Sequence, residues 1–218
     1  MIKAVLFDLI GTTVIEYIPE VINNCFQNAF YECQVPLDIS ALKAHRGKDK
    51  KVIIQNVLLL NHLPLSMGDE IYRLFKTKLT SDADKFSLNR GTIEIMMYLR
   101  ERGIKTGIGT GLERDIFDII CNHVKLDNSF FDYVGISNEV GRGRPFPDMI
   151  FDMMLKLDIT DKAKVLKVGD TVADIEEGQN ANVLTAVILS GTQPEEWLLK
   201  AKPDFVLRSL SELKNILQ

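Results

Sequence analysis

The sequence predicts an α/β protein: a doubly wound, mostly parallel, Rossmann-like sheet with an all-helical unit inserted after its first strand. Three observations predict it. The chain opens on a short, almost continuously apolar run that stops at a carboxylate, MIKAVLFD, as a buried parallel strand does. From Glu16 to about Asp84 the apolar residues recur with helical spacing and no convincing strand pattern. From Asn89 onward helix-like and strand-like segments alternate, the pattern of a sheet with helices on both faces.

Taken in order, Ile2 to Phe7 reads as the first strand. The segment PEVINNCFQNAFYEC places Val21, Ile22, Cys25, Phe26, Ala29, Phe30 and Cys33 on one side, with Pro19 suited to a first helical turn. Asp49 to Leu60 and Met67 to Leu79 also carry helical spacing. Thr92 to Arg102 predicts a helix that ends at Gly103, a C-terminal cap. Ile104 to Gly109 predicts a strand, Arg114 to Asn122 a helix, and Tyr133 to Ile136 a short strand. Pro147 to Leu157 predicts a helix, with Asp148 favouring the positive end of its dipole. Val165 to Val168 and Leu184 to Leu189 read as strands, with a helix from Ala173 to Asn182 between them. Glu195 to Ala201, Asp204 to Leu207 and Ser209 to Leu217 complete the series. The expected organisation is a core of residues 1–15 plus 86–218, with residues 16–85 as the inserted helical cap.

The chain of 218 residues is 46% apolar with a net charge of -4, long enough to bury a substantial core. A mildly acidic chain with no basic block gives no support for nucleic-acid or anionic-membrane binding. The local cluster Arg46, Lys48, Lys50 and Lys51 is the exception. Cys25, Cys33 and Cys121 are scattered without metal-ligand spacing, which favours reduced thiols in a cytoplasmic protein. Asp8 breaks the N-terminal apolar stretch far short of a signal peptide or membrane span.

Polar residues recur where the strands end. The first strand ends at Asp8, followed by Gly11-Thr12-Thr13, and a later one at Thr110-Gly111. The Val165 to Val168 strand leads into Gly169-Asp170-Thr171, with Asp174 one helical turn on, and GRGRPFPD places Arg142 and Arg144 in a loop. In an open parallel sheet ligands bind beyond the carboxyl ends of the strands. Asp8, Asp170 and Asp174 gathered there repel one another unless a cation sits among them. Oxygen ligands of this kind suit Mg²⁺. Thr110, Arg144 and amides at helix starts can hold a phosphate-like dianion beside it, and an ionised carboxylate is a candidate nucleophile. Singly, each element is equally a turn, a cap or a surface residue. Four in this order at successive strand ends are not explained by capping.

On these residues the chain resembles the haloacid dehalogenase superfamily over essentially its whole length. VLFDLIGTT, Thr110 of GIGTGLER, Arg144 of GRPFPD and VGDTVADIEEG stand as its four motifs. It is most similar to the phosphonatase-like branch, through Ile10, the double threonine Thr12-Thr13, Thr110-Gly111 with Arg114, and Gly143-Arg144-Pro145-Phe146-Pro147. The resemblance implies that Asp8 attacks phosphorus to form an aspartyl-phosphate. It implies Mg²⁺ held by Asp8, the carbonyl of Ile10 and Asp170, with Asp174 bound through water or behind them. Thr110 and Arg144 then steady the transferring group, with Thr12 and Gly111 also at the phosphate. It also places Lys50, three residues after Gly47, where phosphonatases carry a Schiff-base lysine. Those enzymes have Met, His and Tyr where this chain has Arg46, Ile53 and Leu112.

Most phosphatases of the superfamily carry an aspartate where Ile10 stands, and that acid protonates the leaving oxygen. Isoleucine donates no proton, so alkyl esters suffer most and C–P cleavage or good leaving groups suffer least. Three readings follow: a Mg²⁺-dependent hydrolase of a small phosphonate or phosphate ester, a metal-free haloacid dehalogenase, and a non-catalytic binding or regulatory protein. GDTVAD speaks against the second, which has no need of a metal motif. The expected partner is a small phosphorylated or phosphonate substrate. The protein is expected as a monomer or homodimer, since the Phe26 and Phe30 stripe can bury within the cap or against a second copy.

Overall fold

The computed structural model describes residues 1–217. Eight strands run β1 (Ala4–Asp8), β2 (Val14–Glu16), β3 (Phe86–Leu88), β4 (Lys105–Thr110), β5 (Tyr133–Ile136), β6 (Val165–Gly169), β7 (Leu184–Ile188) and β8 (Phe205–Leu207). Six of them form one parallel sheet in the order β5-β4-β1-β6-β7-β8. Every residue of β1 is buried, because helices cover both faces of such a sheet and leave no solvent side for an alternating pattern. After β1 the core chain builds outward through β4 and β5, then crosses to β6 on the other side. The crevice beside β1 is therefore the switch point of the winding, where ligands of doubly wound sheets bind. Register brings the carboxyl ends level: Asp8 pairs with Gly109, Phe7 with Val168, and Thr110 with Ile136.

Between β2 and β3 lie four helices, α1 (Val21–Glu32), α2 (Ile39–Ala44), α3 (Lys50–Leu60) and α4 (Gly68–Ser81). The predicted stripe of α1 is buried at Val21, Ile22, Cys25, Phe26, Ala29 and Phe30. Phe26 stacks on Phe75 of α4 with ring centroids 4.3 Å apart. These residues share one apolar cluster with Ile108, Ile116 and Phe117, so the cap helices pack onto the sheet side of the molecule.

Two expectations about the insertion need correction. The stretch from Glu16 to about Asp84 is not helical from its first residue: β2 and β3 pair antiparallel, Ile15 opposite Ser87, and Glu16 ends that ribbon. Pro19 lies outside α1, which begins at Val21. The Glu16 carboxylate accepts from the amides of Val21 and Ile22, satisfying the helix start from outside. Helix α2 is an element the periodicity did not predict; Asp38 caps it at Ser40 N.

The remaining helices are α5 (Thr92–Glu101), α6 (Arg114–Val124), α7 (Ser137–Val140), α8 (Asp148–Lys156), α9 (Val172–Ala181), α10 (Glu195–Lys200) and α11 (Leu213–Ile216). The predicted terminal helix is divided, with a 3-10 turn over Leu210–Glu212 preceding α11. The chain returning from the insertion is tied to the Gly-Thr-Thr turn: Asn89 Nδ2 donates to Thr12 O and Thr92 Oγ1 to Thr13 O. Among the described residues no helix is long and apolar enough to cross a membrane.

Candidate active site

Three strand ends and two helix starts converge on one cavity of about 30 Å³, lined by Asp8, Ile10, Thr110 and Gly111 of the core, by Arg144, and by Lys50 from the first turn of α3. Gly11 makes the turn after Asp8 possible. Its φ is +98°, and a Cβ there would lie 2.1 Å from the Asp170 carboxylate. Gly47, at φ +86°, lets the cap loop close against the core, where a Cβ would lie 2.2 Å from Thr171 Oγ1.

Asp8, Asp170 and Asp174 come together as expected, each with a carboxylate oxygen within 4.8 Å of the others. Asp170 is held by Thr192, whose amide and hydroxyl donate to Oδ2 at 2.7 and 2.5 Å. Thr12 reaches the acidic cluster. Its buried hydroxyl donates to Asp170 Oδ1 at 3.3 Å, because the Gly11 turn points it at the carboxylate. Asp174 is crowded with donors: Oδ1 lies 3.0 Å from Arg144 Nη1 and 2.9 Å from Lys167 Nζ. Its Oδ2 accepts from the amide and hydroxyl of Thr171, so the same aspartate closes the capping box of α9.

Arg144 is more deeply committed than the sequence suggests. Nη2 lies 2.7 Å from Asp8 Oδ1, Nη1 pairs with Asp174, and Nε lies 3.2 Å from Glu177 Oε2. Nη2 also donates to Gly109 O, and Nη1 to Gly47 O of the cap loop. The guanidinium is thus ringed by three carboxylates and two carbonyls, although its Nε makes no hydrogen bond. Thr110 is differently placed. Its hydroxyl oxygen accepts from Leu112 N at 3.2 Å, which leaves its proton for a ligand in the cavity.

Lys167 and Glu177 were not expected here. Lys167 lies in the middle of β6, fully buried, 3.3 Å from Glu177 Oε2. A lysine inside the apolar strand VLKVG was the available signal, since a buried cation requires partners. Thr192 had a weaker one, a hydroxyl just past the end of β7.

The electrostatics follow from burial. Burial pushes Asp8 above the usual carboxylate range, against the pull of Arg144, and Asp174 adds to the rise. Burial and the charges of Asp8 and Asp174 push Asp170 up to about 7. For Asp174 burial opposes ionisation, but Arg144 and Lys167 outweigh it and hold the group below its ordinary value. Glu177 is raised by burial. Four buried carboxylates face two buried cations, Arg144 and Lys167. With every group ionised the cluster is two negative charges in excess. An all-carboxylate donor set with that excess fits a hard divalent cation.

Lys50 is half-buried, and its Nζ donates to Lys48 O at 3.1 Å. Burial, then Arg46 and Arg144, lower its amine to about 8. The turn carrying it is docked on the core by Ser137 Oγ, which donates to Asp49 Oδ2, while Asp49 Oδ1 caps α3. Gly111 allows the approach: a Cβ there would lie 2.8 Å from Lys48 O.

Known proteins resemble the chain in sequence and in fold. The chain is 30% identical over 207 residues to a phosphonoacetaldehyde hydrolase of Bacillus cereus (strain G9842), covering 88% of this chain and 77% of that one. Against the phosphonoacetaldehyde hydrolase of Parabacteroides distasonis it is 34% identical over 169 residues, 66% of this chain and 64% of the other. A hydrolase from Pseudomonas syringae superposes with a TM-score of 0.87 at 18% identity, over 99% of this chain and 97% of that one. A phosphonoacetaldehyde hydrolase-like protein from Oleispira antarctica gives 0.86 at 22% identity, over 99% and 91%. At those identities the structures show a shared fold. The family described as haloacid dehalogenase-like hydrolase matches residues 5–188, and with the aspartate-tipped first strand, the switch-point cavity and the acidic cluster in place, the chain belongs to that family of hydrolases.

Proposed function

We propose that this protein is a Mg²⁺-dependent, phosphonatase-like hydrolase that cleaves a small phosphonate or phosphate ester through an aspartyl-phosphate on Asp8. One observation carries the reading: Asp8 and an amine, Lys50, face the same small cavity, and Ile10 beside them offers no acid. The proposed division is a core of residues 1–15 and 86–218 that supplies Asp8, Thr110, Arg144 and the carboxylates. A cap of residues 16–85 supplies Lys50. Asp8, Asp170 and the carbonyl of Ile10 would hold the cation, with Asp174 reaching it through water because its oxygens already face Arg144, Lys167 and Thr171. The bound cation would supply charge neutralisation for an incoming dianion.

In this reading Asp8 Oδ attacks phosphorus as the bond to the leaving group breaks, Thr110 donates to a phosphoryl oxygen, and water then hydrolyses the acyl phosphate. For a phosphonate carrying a β-carbonyl, the Lys50 amine first condenses with that carbonyl and expels water. The electron pair of the C–P bond then enters an enamine, so no acid is needed at position 10. The relatives named phosphonoacetaldehyde hydrolase support this form. A second reading rests on the same amine: as an ammonium, Lys50 protonates the leaving oxygen of an ester, the task that Ile10 cannot perform.

Borohydride trapping with phosphonoacetaldehyde separates the two. Lys50 is charged below about pH 8 and neutral above it, so the imine reading expects trapping to rise with pH through that value. The adduct is expected at Lys50, lost in Lys50→Arg and kept in Asp8→Asn. No adduct at Lys50, with p-nitrophenyl phosphate still hydrolysed in Mg²⁺, selects the ester reading. The proposed setting is cytoplasmic, as a monomer or homodimer with no nucleic-acid partner.

A further inference from the structure

The cavity has two sides of opposite sign. Its floor presents Asp8, with the other carboxylates behind it and Arg144 already paired to three of the four. Its roof, from the cap, contributes Lys50 and Arg46 and no carboxylate that lines the cavity. About 30 Å³ holds little beyond the phosphoryl group, so the rest of a substrate must extend elsewhere. A neighbouring chamber of about 220 Å³ lies against it, and Arg46 and Thr192 line both spaces. Arg46 therefore stands at the neck between the two spaces.

Arg46 is built in, with its side chain 8% exposed. Nη1 donates to Asn23 Oδ1 at 3.1 Å and Nη2 to Glu16 Oε1 at 2.8 Å. These contacts fix the guanidinium plane and use two of its five donors; the other three have no acceptor among the described residues. Glu16 is shared, since it also accepts from the first amides of α1. Arg46 with the positive end of that 12-residue helix outweighs it. Glu20, the other carboxylate of the chamber, is paired with Lys43 at 2.7 Å. The neck is left with an oriented, partly unpartnered cation, and a planar anion complements it.

We infer that Arg46 is a specificity-determining residue that binds a carboxylate on the leaving fragment, so that the preferred substrate is a small phosphonate or phosphate bearing a second, carboxylate anion. This rests on the phosphoryl-transfer reading of the site and narrows its substrate class. Inert ligands test it without turnover. Calorimetry in Mg²⁺ compares phosphonoacetate, which carries the carboxylate, with ethylphosphonate, which lacks it.

The wild type is expected to bind phosphonoacetate about tenfold or more tightly, the scale of one charge-assisted contact. Arg46→Met is expected to bring the ratio of phosphonoacetate to ethylphosphonate affinity to about one, whatever it costs both ligands, and Arg46→Lys to retain part of the preference. Because Arg46→Met leaves Glu16 without its cation, the double variant Arg46→Met/Glu16→Gln serves if the single one fails to fold. Equal affinity of the two ligands for the wild type, or a preference that survives in Arg46→Met, overturns the carboxylate subsite alone. If neither ligand binds the wild type, the phosphoryl-site reading falls and this inference falls with it.

Discussion

Ile10 illustrates how one side chain divides a reaction class. It sits half-buried beside the nucleophile position, lines the cavity and packs against the apolar cluster of the cap. An acid there is expected to donate to a leaving alkoxide, whereas an isoleucine excludes water and leaves the proton to another group. Ile10→Asp is therefore expected to raise kcat on alkyl phosphates by about 10²-fold, the low end of what a positioned acid contributes. Unchanged kinetics on those esters would mean that Lys50 or water already supplies the proton. Asp8, Thr110 and Asp170 were legible as candidate site residues because each lies at a strand end, and Lys50 through the family resemblance. Lys167 and Glu177 were not. Their meeting with Arg144 joins positions that are adjacent only after the sheet is assembled.

At the scale of elements, apolar spacing carried the prediction of α1 well, and the structure buries the stripe it named. Phe26, 1% exposed and stacked on Phe75, is the centre of that packing. Phe26→Ala is expected to cost about 3–5 kcal/mol through lost burial and the cavity left behind. Urea denaturation monitored by circular dichroism measures it, and a loss below about 1 kcal/mol would place the cap core elsewhere. The beginning of α1 escaped prediction for a definite reason. Its amides are satisfied by Glu16 from the β2–β3 ribbon, not by a local capping residue, and Glu20 adopts φ +68° at the boundary. The ribbon itself pairs Val14–Glu16 with Phe86–Leu88, some seventy residues apart, and three-residue strands carry too little alternation to be read. Helix α2 is six residues long and escaped for the same reason.

Across the whole molecule, the charge excess of the acidic cluster makes the proposed metal binding a matter of stability as well as of catalysis. A divalent cation that binds the folded state alone adds about 2.7 kcal/mol at a hundredfold excess over its Kd. The thermal midpoint is therefore expected to rise on adding Mg²⁺ to cation-free protein. Asp170→Asn is expected to remove the response and to stabilise the cation-free form, because it deletes a carboxylate disfavoured by burial and like charge. A wild-type midpoint indifferent to Mg²⁺, or an unaltered response in Asp170→Asn, would contradict the cluster's assignment. The sequence by itself determined the parallel sheet, the helical insertion after the first strand and the polar residues at the strand ends. These depend on local periodicity and on chain order, which are written in neighbouring residues. Only the tertiary structure decided that Thr12 serves Asp170, that Arg144 spends its donors on three carboxylates, and that Arg46 stands between the cavity and its neighbouring chamber. Hydrogen-bond partners are chosen by proximity in space, and the closure of cap on core creates proximities that sequence separation conceals.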